Sequence, residues 1–150
     1  ALVEGLLAPP PPTMGEAQRR ARTAAVFALA DLQDSLPAEA MEMAAPALAS
    51  VLMGVGGESE GARALAAFAL GRLEEPARAF VPLLMQVLDE PSMQVRLSVI
   101  GALATLGPAA FAASSRLAEL ATDASLDPEV RGAAAAALDS VSGLDGKSTD

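Results

Sequence analysis

The chain has 150 residues, of which 52% are hydrophobic, and its 19 acidic and 10 basic residues give a formal net charge of −9. It contains no cysteine, histidine, tryptophan or tyrosine, which excludes disulfides, thiolate or imidazole metal ligands, and nucleophiles that need an imidazole base. The excess of acid also argues against nucleic-acid binding, which uses clustered Lys and Arg to neutralise phosphate.

The two ends of the chain differ in composition from its middle. Residues 1–14 contain the run APPPP and are interpreted as a proline-rich lead-in or as the end of a preceding helix. Residues 143–150 are polar and are predicted to be a disordered tail. No uninterrupted apolar run reaches 18 residues, so we expect no membrane span. The sequence does not determine the cellular compartment. The cytoplasm is favoured, and a removed N-terminal targeting segment is compatible with a chain that begins with alanine.

Four runs of the chain repeat one pattern around an arginine. In each run an alanine stands six residues after the arginine and a leucine stands seven residues after it. Apolar or small residues also occupy the offsets −1, +3 and +10, and these five offsets lie on one face of an α-helix. We therefore predict four equivalent helices, termed A helices, and the alanine column suits a close approach of two helices. The four arginines are Arg22, Arg63, Arg96 and Arg131.

Three further helical segments, termed B helices, lie between the A helices. Residues 42–54, 78–90 and 111–123 align on Pro46, Pro82 and Ser115, and a leucine two residues later in each forms a common column. The residues before Pro46 also look helical, so we expect this proline to kink a helix rather than start it. No segment shows the alternation of a strand, and the sequence predicts an all-α protein.

Punctuation residues support these boundaries. Asp127-Pro128-Glu129 has the residue types of a helix N-terminus, with an N-cap, a proline at the first helical position and an acid in the first turn. Gly107-Pro108 is typical of a helix end.

These helix pairs, with Val-Arg early in an A helix and Ala-Leu-Gly or a similar triplet later in it, resemble the HEAT repeat of the armadillo-like proteins. The match is closest to the short bacterial HEAT-like type. Residues 59–107 carry the resemblance best, and it covers residues 15–142. It implies a right-handed α-solenoid of antiparallel helix pairs with about three and a half repeats, at about 15–54, 58–90 and 91–124, with a half repeat at 127–142. It also implies that the B helices line the concave side.

The resemblance also suggests a role for the repeated arginine. In HEAT repeats this residue commonly pairs with an acid in the turn between repeats or in the next repeat. We therefore expect a structural inter-repeat ladder rather than a ligand site. Its members are the arginines Arg22, Arg63, Arg96 and Arg131 and the acids Glu58, Asp89, Glu90 and Asp127.

Next to the buried leucine column of the B helices lies a strip of small, mixed and weakly charged residues, which we expect on the concave face. For two of them, Met43 and Leu83, core packing is the alternative interpretation. A strip of this kind suits a protein segment, either an apolar helix or an extended peptide. Its members are Met43, Ala47, Ser50, Ala79, Leu83, Gln86, Ala112, Arg116 and Glu119.

The sequence thus predicts a non-enzymatic protein-binding scaffold with no catalytic residues, cofactor or metal. One alternative is an accessory or regulatory subunit of an enzyme complex, similar to bilin-lyase-like HEAT proteins. That alternative predicts a ligand-sized apolar pocket with converging acids. A second alternative is a structural assembly element that self-associates through its open repeat ends. It predicts concentration-dependent oligomers.

Overall fold

The computed structural model describes residues 15–32, 35–54, 57–73 and 75–143. Within these ranges every regular element is helical and no strand occurs, in agreement with the predicted all-α class. The helices are α1 Glu16–Leu32, α2 Ala38–Leu52, α3 Glu60–Gly71, α4 Val81–Val87, α5 Met93–Leu106, α6 Ser114–Thr122 and α7 Pro128–Val141, and 3-10 segments Glu75–Phe80 and Gly107–Ala113 precede α4 and α6. The interpretation of residues 1–14 and the tail after residue 143 lie outside the described residues.

The four predicted A helices are α1, α3, α5 and α7, and each packs against the next in chain order. The alanine column of their predicted apolar face is buried in α3, α5 and α7, at Ala69, Ala102 and Ala137. α3 and α5 approach closely: a Cβ added at Gly71 would lie 2.7 Å from the Cα of Ala102. Small residues in this column therefore set the spacing between successive A helices.

The B layer runs beside the A layer. Its three members are α2, the 3-10 segment with α4, and the second 3-10 segment with α6. The column leucines Leu48, Leu84 and Leu117 are fully buried. Because α2 contacts the 3-10 segment Glu75–Phe80 and α4 contacts the segment Gly107–Ala113, consecutive B members stack as consecutive A helices do. The core lies between the two layers.

The residues at the helix ends take the positions that their chemistry predicts, but the two aligned prolines differ from each other. Pro46 lies inside α2, so the helix does not start there. Pro82, by contrast, stands in the first turn of α4, because Phe80 (φ −99°, ψ 5°) leaves the α-helical region just before it. The side chain of Asp127 caps α7 by accepting a hydrogen bond from the Glu129 N–H at 2.9 Å. Gly107 ends α5 at φ 60°, a conformation that favours glycine.

One helical stretch, Met93–Thr122, is long and apolar enough to cross a membrane by length and composition, with a mean hydropathy of 1.6 over its best window. Gly107 interrupts the α-helical geometry of this stretch. Val95, Val99 and Leu103 of α5 are fully buried between neighbouring helices. Core packing in the repeat stack therefore accounts for the apolar character of the stretch.

Candidate functional site

The B layer presents one face to the outside, and we call it the outer B face. Its central column is formed by Pro46, Pro82 and Ser115, all of them exposed. The column beside it holds Met43, Ala79 and Ala112, which are exposed, and the column on the other side holds Ser50, Gln86 and Glu119, of which Ser50 is half-buried. Six of the nine residues predicted for the binding strip therefore lie on this face.

The third column of the predicted strip does not lie on this face, and the prediction that Ala47 is available to a partner is wrong. This column consists of Ala47, Leu83 and Arg116. Ala47 is only 1% exposed and is therefore not available to a partner, because it follows Pro46 by one residue and is turned about 100° around the helix toward the core. Leu83 is half-buried, and the guanidinium of Arg116 is paired with Asp89 and Glu119.

Sequence reasoning missed the central proline column and two apolar residues beside it. Met53, just after α2, is 44% exposed, and Phe111 is 63% exposed. The spacing of Met43 and Ser50, which the sequence analysis placed on this face, also places Pro46 there. Pro46 stands three residues after Met43 and four before Ser50, so it must lie between them on the same helix face.

Along α2 the outer B face forms an apolar ridge. Met43 (47% exposed), Pro46 and Met53 follow one another along the helix, with Ser50 between the last two. Offsets of 3, 7 and 10 residues from Met43 keep all four on one side. Large apolar side chains that are half exposed on the same helix side form a continuous surface that water solvates poorly.

A small pocket of about 250 Å³ lies at the carboxyl end of this ridge, between the first and second B members. Met53 and Val87 form its apolar part, and Asp89 and Glu90 are its acids. Both acids are paired: Asp89 accepts from Arg116, and Glu90 accepts from Arg63. The pocket therefore combines an apolar wall with two acids whose charges are paired.

Of the four predicted ladder arginines, Arg63 makes the fullest set of contacts. Its Nε–H donates to the Leu52 carbonyl at 2.9 Å, and its guanidinium pairs with Glu90. The two side chains of this pair are 17% and 24% exposed. Arg63 thus joins the end of α2 and the turn after α4 to its own helix, α3.

The other ladder arginines differ from Arg63. The Nε atoms of Arg96 and Arg131 are buried and have no hydrogen-bond partner among the described residues, and the side chain of Arg22 lies outside the described part. Among the predicted ladder acids, Asp127 is an N-cap and Glu58 is buried. Asp89 pairs with Arg116, which the sequence assigned to the binding strip.

An acid absent from the predicted ladder, Asp123, faces Arg96. It stands 27 residues after Arg96, the same separation as between Arg63 and Glu90, and this repeated spacing is the signal that would have found it. Hydrogen bonds from the hydroxyl and N–H of Ser125 lower the pKa of the Asp123 carboxyl, and the charges of Arg96 and Arg116 lower it further.

The charge of the outer B face is uneven. The exposed acids Glu39 and Glu42 lie on the same side of α2 as Met43, and α2 contains no basic residue. On the second B member Glu75 is paired with Arg78 at 3.7 Å. The acidic potential is therefore strongest at the amino end of α2. Among the described residues no group of three or more acids is placed to hold a metal ion.

A second exposed surface lies on the A layer. Phe27 and Phe68 stand five residues after their repeat arginines and are each about half exposed. The guanidinium of Arg72 lies 5.6 Å from the ring centroid of Phe68. An open groove of about 470 Å³ runs beside Phe27, along α1. This A-layer surface is therefore the alternative to the outer B face as a place where a partner could bind.

Stacked helix pairs with one arginine-marked helix in each unit define an α-solenoid repeat protein. A family model for HEAT repeats matches residues 45–139, and the chain belongs to the HEAT-repeat family. No curated protein and no solved structure matches the chain. HEAT repeats generally mediate protein–protein interactions, and the family is typically non-enzymatic.

Proposed function

We propose that this chain is a non-enzymatic scaffold that binds a segment of another protein on the outer B face, the concave side in the HEAT arrangement. The observation that carries the proposal is the apolar ridge of Met43, Pro46 and Met53 on α2. Proline in a helix interior costs about 3 kcal/mol because it removes a backbone hydrogen bond. Pro46 stands in the interior of α2 and is exposed, and a contact surface gives this proline a use; Pro82 stands in the first turn of α4, where proline carries no such cost.

The pocket beside Met53 favours the scaffold over the accessory-subunit alternative. A ligand site in such a subunit would need acids free to bind or to transfer a proton. The two acids of this pocket are held by Arg116 and Arg63. A charge-neutralised pocket of this size supports the anchoring of one side chain of a protein partner.

The test uses two methionines of nearly equal exposure on different helices. Met43 (47% exposed) lies on the outer B face, and Met93 (43% exposed) lies at the start of α5. Crosslinked affinity capture from a lysate of the source organism is carried out with the wild type, with Met43→Glu and with Met93→Glu. We expect a captured protein to be lost with Met43→Glu and retained with Met93→Glu.

Loss of capture with both variants, or with neither, contradicts the assignment of the outer B face. Circular dichroism verifies that both variants fold, which we expect because both side chains are solvent-facing. A partner that is lost only when Phe27 or Phe68 is changed to glutamate would move the function to the A layer.

Assembly through the repeat ends is a second candidate, supported by α1. Ala21 and Leu32 are exposed there, whereas the equivalent residues, Ala62 of α3 and Leu73 just after it, are buried. At the other end, however, α7 carries the exposed Asp139 where α3 has Gly71, and a buried unpaired carboxylate would oppose stacking. Light scattering between 10 and 500 µM, roughly the range for weak contacts, tests this candidate, and a constant mass contradicts it.

A further inference from the structure

We infer that the segment bound by the outer B face is a basic amphipathic helix that lies along α2 and inserts one side chain into the pocket beside Met53. The inference rests on the proposed function and adds the partner's chemistry to it. It follows from the length of the apolar ridge, from the unbalanced acids at its amino end and from the backbone structure of the surface.

The ridge has the dimensions of a helix footprint. Ten residues separate Met43 from Met53, about 15 Å along the axis of α2, and inclusion of Glu39 extends the surface to 14 residues, about 21 Å. A partner helix of about 14 residues covers this length and presents apolar anchors at spacings of 3, 4 and 7 residues. Methionine suits the contact, since its flexible thioether side chain adapts to the shape of different anchors.

The amino end of the ridge is acidic, whereas the acids at its carboxyl end are paired with arginines. At the amino end Glu39 and Glu42 are exposed, and no basic residue of α2 balances them. Pro46 offers no N–H to the carbonyl of Glu42, so this carbonyl oxygen adds to the negative potential. At the carboxyl end Asp89 and Glu90 border the pocket but are paired with Arg116 and Arg63, and Met53 and Val87 supply its apolar part. Lysines and arginines of a partner therefore complement the amino end, and an apolar side chain complements the pocket.

The described backbone of this surface selects a helix over the other recognised forms of a bound peptide. An added strand needs the unpaired N–H and C=O groups of a sheet edge, and the described ranges contain no strand. A polyproline segment docks between aromatic side chains, and among the described residues Phe111 is the one exposed aromatic residue on this face.

The experiment measures binding of two fluorescein-labelled peptides by fluorescence anisotropy. The basic probe is LKKLLKLLKKLLKL, and the acidic probe LEELLELLEELLEL has the same apolar pattern. Each is titrated with the wild type, with the double variant Glu39→Lys/Glu42→Lys, and with the control double variant Asp31→Lys/Asp139→Lys. Asp31 and Asp139 are exposed and lie on A helices, so the two double variants change the net charge equally.

We expect the wild type to bind the basic probe and to reject the acidic one. The Glu39→Lys/Glu42→Lys variant should bind the basic probe about three- to thirtyfold more weakly, as expected for two exposed charge pairs, while the control changes affinity by less than about twofold. A circular dichroism spectrum of the bound probe should show helix. Equal weakening by both double variants means that only net charge is sensed, and this result overturns the inference.

A third variant separates the partner's chemistry from the site. Met43→Ser removes one apolar side chain of the ridge without changing the charge, and it should weaken binding of the basic probe. If the lysate partner is lost with Met43→Glu but the basic probe binds no better than the acidic one, the site stands and the inferred partner chemistry is wrong. If Met43→Glu leaves capture of the lysate partner unchanged and Met43→Ser leaves binding of the probe unchanged, the proposed function itself fails.

Discussion

The tight contact between α3 and α5 gives a sharp prediction at Gly71. A Cβ placed there would lie 2.7 Å from the Cα, 2.8 Å from the Cβ and 3.0 Å from the carbonyl oxygen of Ala102. Backbone atoms do not move aside as a flexible side chain does, so Gly71→Ala must push the two helices apart. Overpacking of this kind costs about 1–3 kcal/mol. The gain in helix propensity from glycine to alanine is at most about 1 kcal/mol, and smaller at a helix end. We therefore expect Gly71→Ala to lower the free energy of unfolding by about 1–2 kcal/mol.

The control for this substitution lies on the adjacent helix. A Cβ added at Gly101, in the middle of α5, would meet no atom of a neighbouring element within 4 Å, so Gly101→Ala should raise stability by about 0.5–1 kcal/mol. Urea denaturation followed by circular dichroism at 222 nm measures both changes. If Gly71→Ala is as stable as the wild type while Gly101→Ala behaves as expected, then α3 and α5 do not pack at this distance.

Two further predictions concern the charged residues of the inter-repeat turns. Arg63→Ala should lower the free energy of unfolding by about 1–3 kcal/mol, because it removes the hydrogen bond to the Leu52 carbonyl and leaves Glu90 unpaired. Arg131→Ala is the control: it breaks no ion pair among the described residues, so it should lower the free energy of unfolding by less in the same urea titration. Ser125→Ala should raise the pKa of Asp123 toward its usual value by removing the hydroxyl that lowers it, as an NMR titration of the carboxyl carbon would show. Because a lowered folded-state pKa stabilises the protein above the unfolded value near 3.8, this variant should be less stable than the wild type at neutral pH, and the difference should vanish as the solution is acidified. An unchanged Asp123 pKa would contradict the assigned hydrogen bond.

Most of the fold could be predicted from the sequence, because the residue pattern that specifies it repeats from one A helix to the next. The arginine-anchored spacing identifies the A helices, and the offsets +3 and +6 coincide with the buried residues Ala66 and Ala69. Helix ends at Gly107 and Asp127 were predictable because local chemistry determines them. The 3-10 start of the second and third B members was not, since Phe80 and Ala110 leave the α-helical region although neither residue type requires it.

The binding surface was predictable only in part. A helix face is read with an error of about one residue, or 100°, and this error placed the buried Ala47 on the surface and left Pro46 out. The proline was interpreted through its effect on the backbone, although its exposed ring is part of the apolar ridge. Asp123 was missed because its separation of 27 residues from Arg96 becomes informative only after the repeats are aligned on each other.

Hydroxyl-radical footprinting of the purified chain with its captured partner tests the central claim most directly, since the chain carries its own methionine reporters. Oxidation of each methionine is quantified by mass spectrometry in the free chain and in the complex. The account predicts that Met43 and Met53 of the outer B face are protected in the complex, while Met93 is oxidised at the same rate in both. Protection of Met93 or of the A-layer residues Phe27 and Phe68, with Met43 and Met53 unchanged, would contradict it.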